Sequence, residues 1–204
     1  RNSPGKGNAR RSRKPCKNEV LCLRAGRAAY LPQERRKYMK VMVTGSFNPI
    51  TKGHEDIVLR AAEKFDEVIV AVFNNAEKKY DFTLEEREEL CRKTFEKIKN
   101  VRVVSSGGMV VDLCRRENCF SLLRGIRNGG DLDYEIYMRD ANNSFDSRCE
   151  TFFLPARREL AECSSSAVRK LISDGKDFSP LVPEGAVSVL YGILKRRGIY
   201  NEKQ

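Results

Sequence analysis

Residues 40–62, KVMVTGSFNPITKGHEDIVLRAA, contain the strongest indication of the fold class of this chain. This stretch opens with a short β-branched apolar run, residues 40–44, which predicts a buried β-strand. A loop bounded by Gly45 and Gly53 then leads directly into apolar residues at helical spacing, which predicts a helix near residues 54–64. This order predicts an anion site, because free backbone amides and the positive end of the helix dipole meet where the helix starts.

The loop ends in His54, the single histidine of the chain. Its place at the predicted helix start favours a donor to phosphate oxygens over a structural role. We expect Gly53 to let the backbone pass close to the anion. The loop matches neither the Walker pattern nor the three-glycine dinucleotide fingerprint, which disfavours those two nucleotide folds.

Short β-branched runs alternate with helical stretches along the rest of the chain. This pattern predicts an α/β, Rossmann-like, doubly wound sheet of five parallel strands. The predicted strands are residues 40–44, 67–73, 101–105, 120–124 and 151–154. The predicted helices lie near residues 54–64, 84–98, 110–117, 132–144, 165–173 and 184–197. Thr83 and Glu86 have the spacing of a capping box, which supports a helix start after Thr83.

The charge of the chain is concentrated at its N-terminus. Residues 1–38 hold twelve Lys and Arg and two acids, which accounts for +10 of the net charge of +11 over 204 residues. This segment has too few large apolar residues to offset the entropy of ordering, so we predict a disordered basic extension, residues 1–38, before a catalytic domain, residues 39–204. The extension is a transit peptide, an interaction arm or translated sequence upstream of a start at Met39.

Composition also excludes several classes of function. The nearly neutral body gives no electrostatic reason to expect a nucleic-acid-binding face. The chain lacks an apolar run of about eighteen residues, so we expect no membrane span. Its seven cysteines have no metal-ligand spacing, which indicates reduced thiols in a cytoplasmic protein and no protein metal ligand.

Three further segments carry residues suited to phosphate. Lys78 and Lys79 lie in the loop after the second predicted strand, where a flexible ammonium can reach an anion. Arg124 and Arg127 leave the end of the fourth predicted strand, at the carboxyl edge where ligands of open α/β sheets bind. Ser164–Ser166 precede a helical apolar pattern and predict a second anion-binding helix start.

These motifs together resemble a known family. The TxGH sequence at residues 51–54 is similar to the HxGH motif of nucleotidylyltransferases and, more distantly, of class I aminoacyl-tRNA synthetases. Residues 124–127, 131–135 and 164–166 follow in the order and approximate spacing of the bacterial phosphopantetheine adenylyltransferases. The resemblance covers residue 40 to the last helix. It implies transfer of AMP from ATP to 4'-phosphopantetheine, giving dephospho-coenzyme A and pyrophosphate, with Mg²⁺ accompanying ATP and a homo-oligomer, a hexamer, as the assembly.

The resemblance also implies a role for individual residues. The catalytic residues are His54 and Lys78, with Lys79 as the neighbour that is easily confused with Lys78. The implied ATP-binding residues are Ser46, Phe47, His54, Gly125, Ile126, Arg127, Glu135, Ser164, Ser165 and Ser166. The implied residues for the acceptor substrate are Ser46, Lys78, Val110 and Arg124. Direct attack between bound substrates suffices, because no second histidine is present to activate a serine.

Some positions depart from the common family pattern, and two other functions stay open. Asn48 replaces an Asp, Leu160 stands where an aromatic residue is frequent, and Cys163 replaces an apolar residue. Residues 138–144 lack the usual His-Met-Asn-like stretch. One alternative is a nicotinate mononucleotide adenylyltransferase, although its motif usually begins with His where this chain has Thr51. The other is a non-catalytic basic protein that binds RNA or a membrane through residues 1–38.

Overall fold

Five parallel strands form the centre of the computed structural model, which describes residues 38–74 and 79–199. The strands are β1 (Lys40–Gly45), β2 (Glu67–Phe73), β3 (Val101–Ser106), β4 (Ser121–Ile126) and β5 (Glu150–Pro155). Their order across the sheet is β3-β2-β1-β4-β5. The chain direction across the sheet therefore switches between β1 and β4, where open α/β folds bind ligands. The predicted five-stranded parallel fold is confirmed.

Six helices connect and flank these strands in the described ranges. They are α1 (Lys52–Ala62), α2 (Leu84–Phe95), α3 (Val110–Glu117), α4 (Gly129–Phe145), α5 (Ser165–Ser173) and α6 (Glu184–Arg196), with short 3₁₀ turns at Arg158–Leu160 and Ser179–Leu181. The expected capping box of α2 is present, since Glu86 N–H donates to Thr83 Oγ1 at 3.3 Å and Thr83 N–H donates to Glu86 Oε2 at 2.8 Å.

Several element boundaries differ from prediction by one to three residues, and three of the differences have a visible local reason. Helix α1 starts two residues early because Thr51 serves as its N-cap. Helix α4 starts at Gly129 because the Asn128 side chain caps it, accepting from Asp131 N–H at 3.0 Å. Strand β4 continues to Ile126 because it pairs with β5 up to the Ile126–Pro155 register. Arg124 therefore lies within the strand rather than at its end.

Alternation along β1 divides the core into two layers. Val41 and Val43 belong to the apolar cluster that also holds residues of α1, α2, α5 and α6, whereas Met42 belongs to the cluster that contains residues of α3. Side chains of a strand point alternately to the two faces, so the sheet is covered on both sides. This α/β/α layering leaves the carboxyl ends of the strands as the place for a site.

Some expectations fall outside the described residues. The predicted disorder of residues 1–38, all but Tyr38 outside the described residues, and the position of Lys78 stay predictions. The division of the chain between residues 38 and 39 also stays a prediction. Within residues 38–74 and 79–199, none of the helices is long and apolar enough to cross a membrane.

Candidate active site

The loop after β1 holds its residues in a constrained backbone. Phe47 has a φ of 46°, in the left-handed region that side chains other than glycine rarely adopt. Its ring is buried and packs edge-on against the imidazole of His54, with ring centroids 5.1 Å apart. Such a conformation persists only when surrounding contacts enforce it, and it is typical of functional loops. Phe47 thus supports His54 and leaves Ser46 exposed beside it.

The start of α1 determines which nitrogen of His54 carries the proton. Thr51 N–H donates to His54 Nδ1 at 3.1 Å, while Thr51 Oγ1 donates to the carbonyl of Cys163 at 3.2 Å. Because Nδ1 accepts a hydrogen bond, a neutral ring has its proton on Nε2. Burial, with the positive charges of Arg124 and Arg127, lowers the pKa of His54 to about 4. His54 is therefore a neutral Nε2–H donor at physiological pH.

Gly53 has a packing role that the sequence did not predict, and its predicted close approach to an anion stays a prediction. A Cβ at this position would lie 3.1 Å from the Cys163 carbonyl oxygen and 3.7 Å from that of Leu160. The absence of a side chain therefore lets α1 approach the segment before α5. Gly125 acts similarly, because a Cβ there would lie 3.0 Å from Ile57 Cγ1 on α1. The two glycines allow the site-forming segments to pack closely.

Arg124 is bound at both edges of its guanidinium. Its Nε donates to Glu135 Oε2 at 2.7 Å, and its Nη2 also pairs with that carboxylate. Its Nη1 donates to Thr44 Oγ1 at 3.0 Å and to the Thr44 carbonyl. Glu135, an ordinary exposed helical residue by its sequence position, is in fact 8% exposed. The structure joins the predicted acceptor-binding Arg124 to the predicted ATP-binding Glu135 in one ion pair.

Arg127 is bound at only one edge. Its Nε donates to Asp131 Oδ2 at 2.8 Å and its Nη2 donates to Asp131 Oδ1 at 3.0 Å. The same carboxylate accepts from the backbone N–H of Arg127 at 3.2 Å, and these bonds lower the pKa of Asp131. Within the described residues, Nη1 of Arg127 makes no hydrogen bond, so this edge can bind an anion.

The three serines at the start of α5 make different hydrogen bonds. Ser164 Oγ caps the helix by accepting from Ala167 N–H at 3.1 Å. Ser165 Oγ donates to the Pro49 carbonyl at 2.7 Å and links α5 to the first loop. Ser166 Oγ accepts from Arg169 Nη2 at 3.2 Å. Ser164 and Ser166 each accept here, so their O–H groups remain donors for an anion.

The residues described above line two adjoining cavities. The first, of about 270 Å³, lies between the β1–α1 loop, β4 and the start of α5. Predicted residues that line it are Ser46, Phe47, His54, Arg124, Gly125, Arg127, Glu135, Ser164, Ser165 and Ser166. Ile126, a predicted ATP-binding residue, lines neither cavity; it is the last residue of β4 and pairs in register with Pro155 of β5.

The second cavity, of about 520 Å³, opens beside the carboxyl ends of β1 and β2. Val110, a predicted acceptor-binding residue, lines it together with apolar side chains of Phe73, Met138 and Phe145. Ser46, Arg124 and Glu135 line both cavities. The Arg124–Glu135 pair is therefore part of the boundary between them.

Sequence reasoning missed a buried arginine beneath the first loop. Arg87 of α2 is fully buried, and its Nη1 donates to the carbonyls of Ser46 at 2.7 Å and Phe73 at 2.8 Å. It also donates to Asn74 Oδ1 at 2.8 Å. The sequence signal was weak, since an arginine in a charged helix such as α2 usually faces water.

The departures from the family pattern have visible positions. Leu160 and Cys163 both line the first cavity, where they place an aliphatic side chain and a thiol. Asn48 is buried, and its side chain accepts from Phe82 N–H at 3.1 Å and donates to Asp81 Oδ2 at 3.2 Å. None of the three is among the residues predicted to bind phosphate around the first cavity.

The fold and this site define a class of protein, and comparison with known sequences agrees. A sequence model of the cytidylyltransferase-like family matches residues 42–171. A nicotinic acid mononucleotide adenylyltransferase of Plasmodium falciparum, solved in complex with NaAD, superimposes with a TM-score of 0.58 at 14% identity, covering 76% of this chain and 95% of that one. This likeness shows the fold. The chain is a nucleotidylyltransferase of the cytidylyltransferase-like family.

Closer relatives specify the branch of the family. A phosphopantetheine adenylyltransferase of Finegoldia magna is 43% identical over 148 residues, covering 72% of this chain and 91% of the relative. One of Nautilia profundicola is 39% identical over 153 residues, covering 75% of this chain and 99% of the relative. The chain belongs to the phosphopantetheine adenylyltransferase family, as the resemblance of its motifs indicated.

Proposed function

We propose that this chain transfers AMP from ATP to 4'-phosphopantetheine, releasing pyrophosphate and forming dephospho-coenzyme A. The observation that carries the proposal is the pair of adjoining cavities. A cavity with two anion-binding helix starts shares Ser46 and Arg124 with a larger, partly apolar cavity. The first suits a nucleoside triphosphate, and the second suits an acceptor with a phosphate at one end and an extended arm.

In the proposed reaction, an oxygen of the acceptor phosphate attacks the α-phosphorus of ATP. A new O–P bond forms, the bond from the α-phosphorus to the bridging oxygen breaks, and pyrophosphate leaves with that electron pair. His54 donates through Nε2–H to the crowded transition state, and Lys78 adds a positive charge from the loop after β2. Ser164, Ser166 and the open edge of Arg127 hold the outer phosphates.

We infer that Mg²⁺ enters with ATP. The described residues contain no group of three or more His, Cys, Asp or Glu that could enclose a metal ion. The two carboxylates of the first cavity, Asp131 and Glu135, are each paired with an arginine. The residues thus do not fit a protein-held ion, and ATP phosphates and water would supply the ligands. No step of the proposed reaction depends on a protein-bound metal.

We further infer a cytoplasmic homo-oligomer, a hexamer by family resemblance. Apolar side chains exposed on α4 and on the edge strand β5 support an interface between copies: Ile136, Tyr137, Phe145 and Phe152. Exposed apolar patches on adjoining elements are typical of interaction surfaces. Light scattering coupled to size-exclusion chromatography measures the mass, and a monomer at micromolar concentration contradicts the assembly.

The test of the activity is pyrophosphate release from MgATP with 4'-phosphopantetheine, nicotinate mononucleotide or no acceptor. The intact chain, a form beginning at Met39 and His54→Ala are compared. We expect release only with 4'-phosphopantetheine, unchanged by the truncation and lost in His54→Ala. Release with nicotinate mononucleotide alone supports the other adenylyltransferase. If a folded protein that binds ATP releases none with any acceptor, the activity is refuted and a binding role for residues 1–38 gains support.

A further inference from the structure

Arg169, in the second turn of α5, contacts three separate segments of the chain. Its Nη1 donates to the Asn48 carbonyl at 2.7 Å, in the loop after β1. Its Nη2 donates to Ser166 Oγ at 3.2 Å, at the start of its own helix. Its Nε lies 3.0 Å from Asp81 Oδ2, in the segment before α2. Each nitrogen of this guanidinium thus contacts a different segment next to the first cavity.

Asn48 and Asp81 complete this arrangement. Asn48 Nδ2 donates to the same Asp81 oxygen that pairs with Arg169, at 3.2 Å, and Asn48 Oδ1 accepts from Phe82 N–H at 3.1 Å. An amide can donate and accept at once, whereas an ionised Asp at position 48 would face the carboxylate of Asp81 and repel it. Asn48 is therefore compatible with the Asp81–Arg169 ion pair, both in hydrogen bonding and in charge.

Arg169 is placed to support the site rather than to bind a substrate. Its side chain is 32% exposed, yet it lines neither of the two cavities. Its partner Ser166 does line the first cavity, and so does Phe47, the neighbour of Asn48. The guanidinium thus lies outside the first cavity and connects two segments that line it, the β1–α1 loop and the start of α5.

We propose that Arg169 is a positioning residue that sets the separation between the two phosphate-binding helix starts. This inference rests on the proposed function, in which the β1–α1 loop holds the reacting phosphate and α5 holds the outer ones. Displacement of reacting groups by about 1 Å can lower a rate by a factor on the order of 100. A planar guanidinium holds three acceptors at fixed angles, and a lysine ammonium lacks that geometry.

The test compares Arg169→Met, Arg169→Lys and a matched control, Arg92→Met. Arg92 is an exposed arginine of α2 that pairs with Glu88 on its own helix. We expect kcat to fall about 10- to 100-fold in Arg169→Met, with both KM values within about threefold. Arg169→Lys should recover part of the loss, and the control should keep full activity. Unchanged kcat in Arg169→Met, or a loss explained by unfolding in a thermal melt, overturns the proposal.

A double-mutant cycle with Asp81→Ala separates positioning from direct contact. If Arg169 acts through Asp81 and Asn48, kcat of the double variant should be little lower than kcat of Arg169→Met alone. Additive losses with a raised KM for ATP instead assign Arg169 to the nucleotide and refute a positioning role.

The single histidine allows a readout that needs no turnover. The ¹⁵N signals of His54 should shift in Arg169→Met, with ATP bound, if the first loop moves. If the unaltered chain makes no pyrophosphate, the proposed function fails by itself, and this spectrum then decides the role of Arg169. Unshifted signals contradict it.

Discussion

The two cavities are held together by different interactions. The first is closed by hydrogen bonds between segments far apart in sequence, such as Thr51 Oγ1 to the Cys163 carbonyl and Ser165 Oγ to the Pro49 carbonyl. The second is lined largely by apolar side chains from several elements, among them Phe73, Val110 and Met138. Directional bonds set positions accurately, whereas apolar contacts add affinity with weak demands on angle.

This contrast predicts a different kinetic role for each cavity. In the proposed function, the first cavity places the phosphates, so changes there should lower kcat. The second cavity binds the acceptor in that proposal, so changes there should raise the acceptor KM. Arg124 and Glu135 line both cavities and should affect both properties.

The largest effect is expected for His54→Ala, which removes the Nε2–H donor at the start of α1. We expect kcat to fall about 100- to 1,000-fold, the range for losing one preorganised donor to a transition state. Both KM values should change little. Steady-state pyrophosphate release measures this, and His54→Gln, which keeps an N–H donor, should lose less. A fall of under tenfold in His54→Ala would remove His54 from the chemistry.

Arg127→Met and Arg124→Met compare an arginine that lines the first cavity alone with one that lines both cavities. We expect each to lower kcat/KM about 10- to 100-fold, from lost hydrogen bonds of a charged group. For Arg127→Met the loss should appear with ATP varied. For Arg124→Met it should appear with either substrate varied, and adding Glu135→Gln should restore stability because no buried carboxylate is left unpaired. Identical profiles for the two variants would erase the distinction between the cavities.

Met138→Ala probes the second cavity alone. Removing this side chain should raise the KM for 4'-phosphopantetheine about three- to tenfold, since each buried methylene contributes about 0.8 kcal/mol. Neither kcat nor the KM for ATP should change. Leu132→Ala is the matched control, because Leu132 is an apolar residue of the same helix and lines neither cavity. Equal effects of the two variants argue against this cavity as the acceptor site.

The smallest effect concerns pH. His54 has a pKa lowered to about 4 from 6.5, so between these values the unfolded chain binds more protons than the folded one. Its contribution therefore destabilises the fold as pH falls from 6.5 toward 4. In thermal melts across this range, the Tm of His54→Gln should fall less with decreasing pH than the Tm of the unaltered chain. A histidine ¹⁵N spectrum that titrates near 6.5 contradicts the neutral Nε2–H assignment.

Much of the fold was predictable because its signals are local. Strand β2 and helices α3 and α5 have the predicted bounds, since β-branched runs and helical spacing are read from neighbouring residues. The predicted residues Ser46, His54 and Arg127 do meet at one cavity, because parallel strands bring their carboxyl ends to one edge. Their roles in binding and catalysis stay predictions until the variants are measured.

Local sequence signals were enough to predict the parallel α/β fold, the positions of the two helix starts and the family. How the groups are held depends on tertiary packing, which brings Arg124 to Glu135, Arg169 to Asn48 and Gly53 to the Cys163 carbonyl. The contact of Arg169 with Asn48 joins residues 121 positions apart. Periodicity and capping are short-range properties, whereas hydrogen-bond partners at such separations depend on how the layers pack.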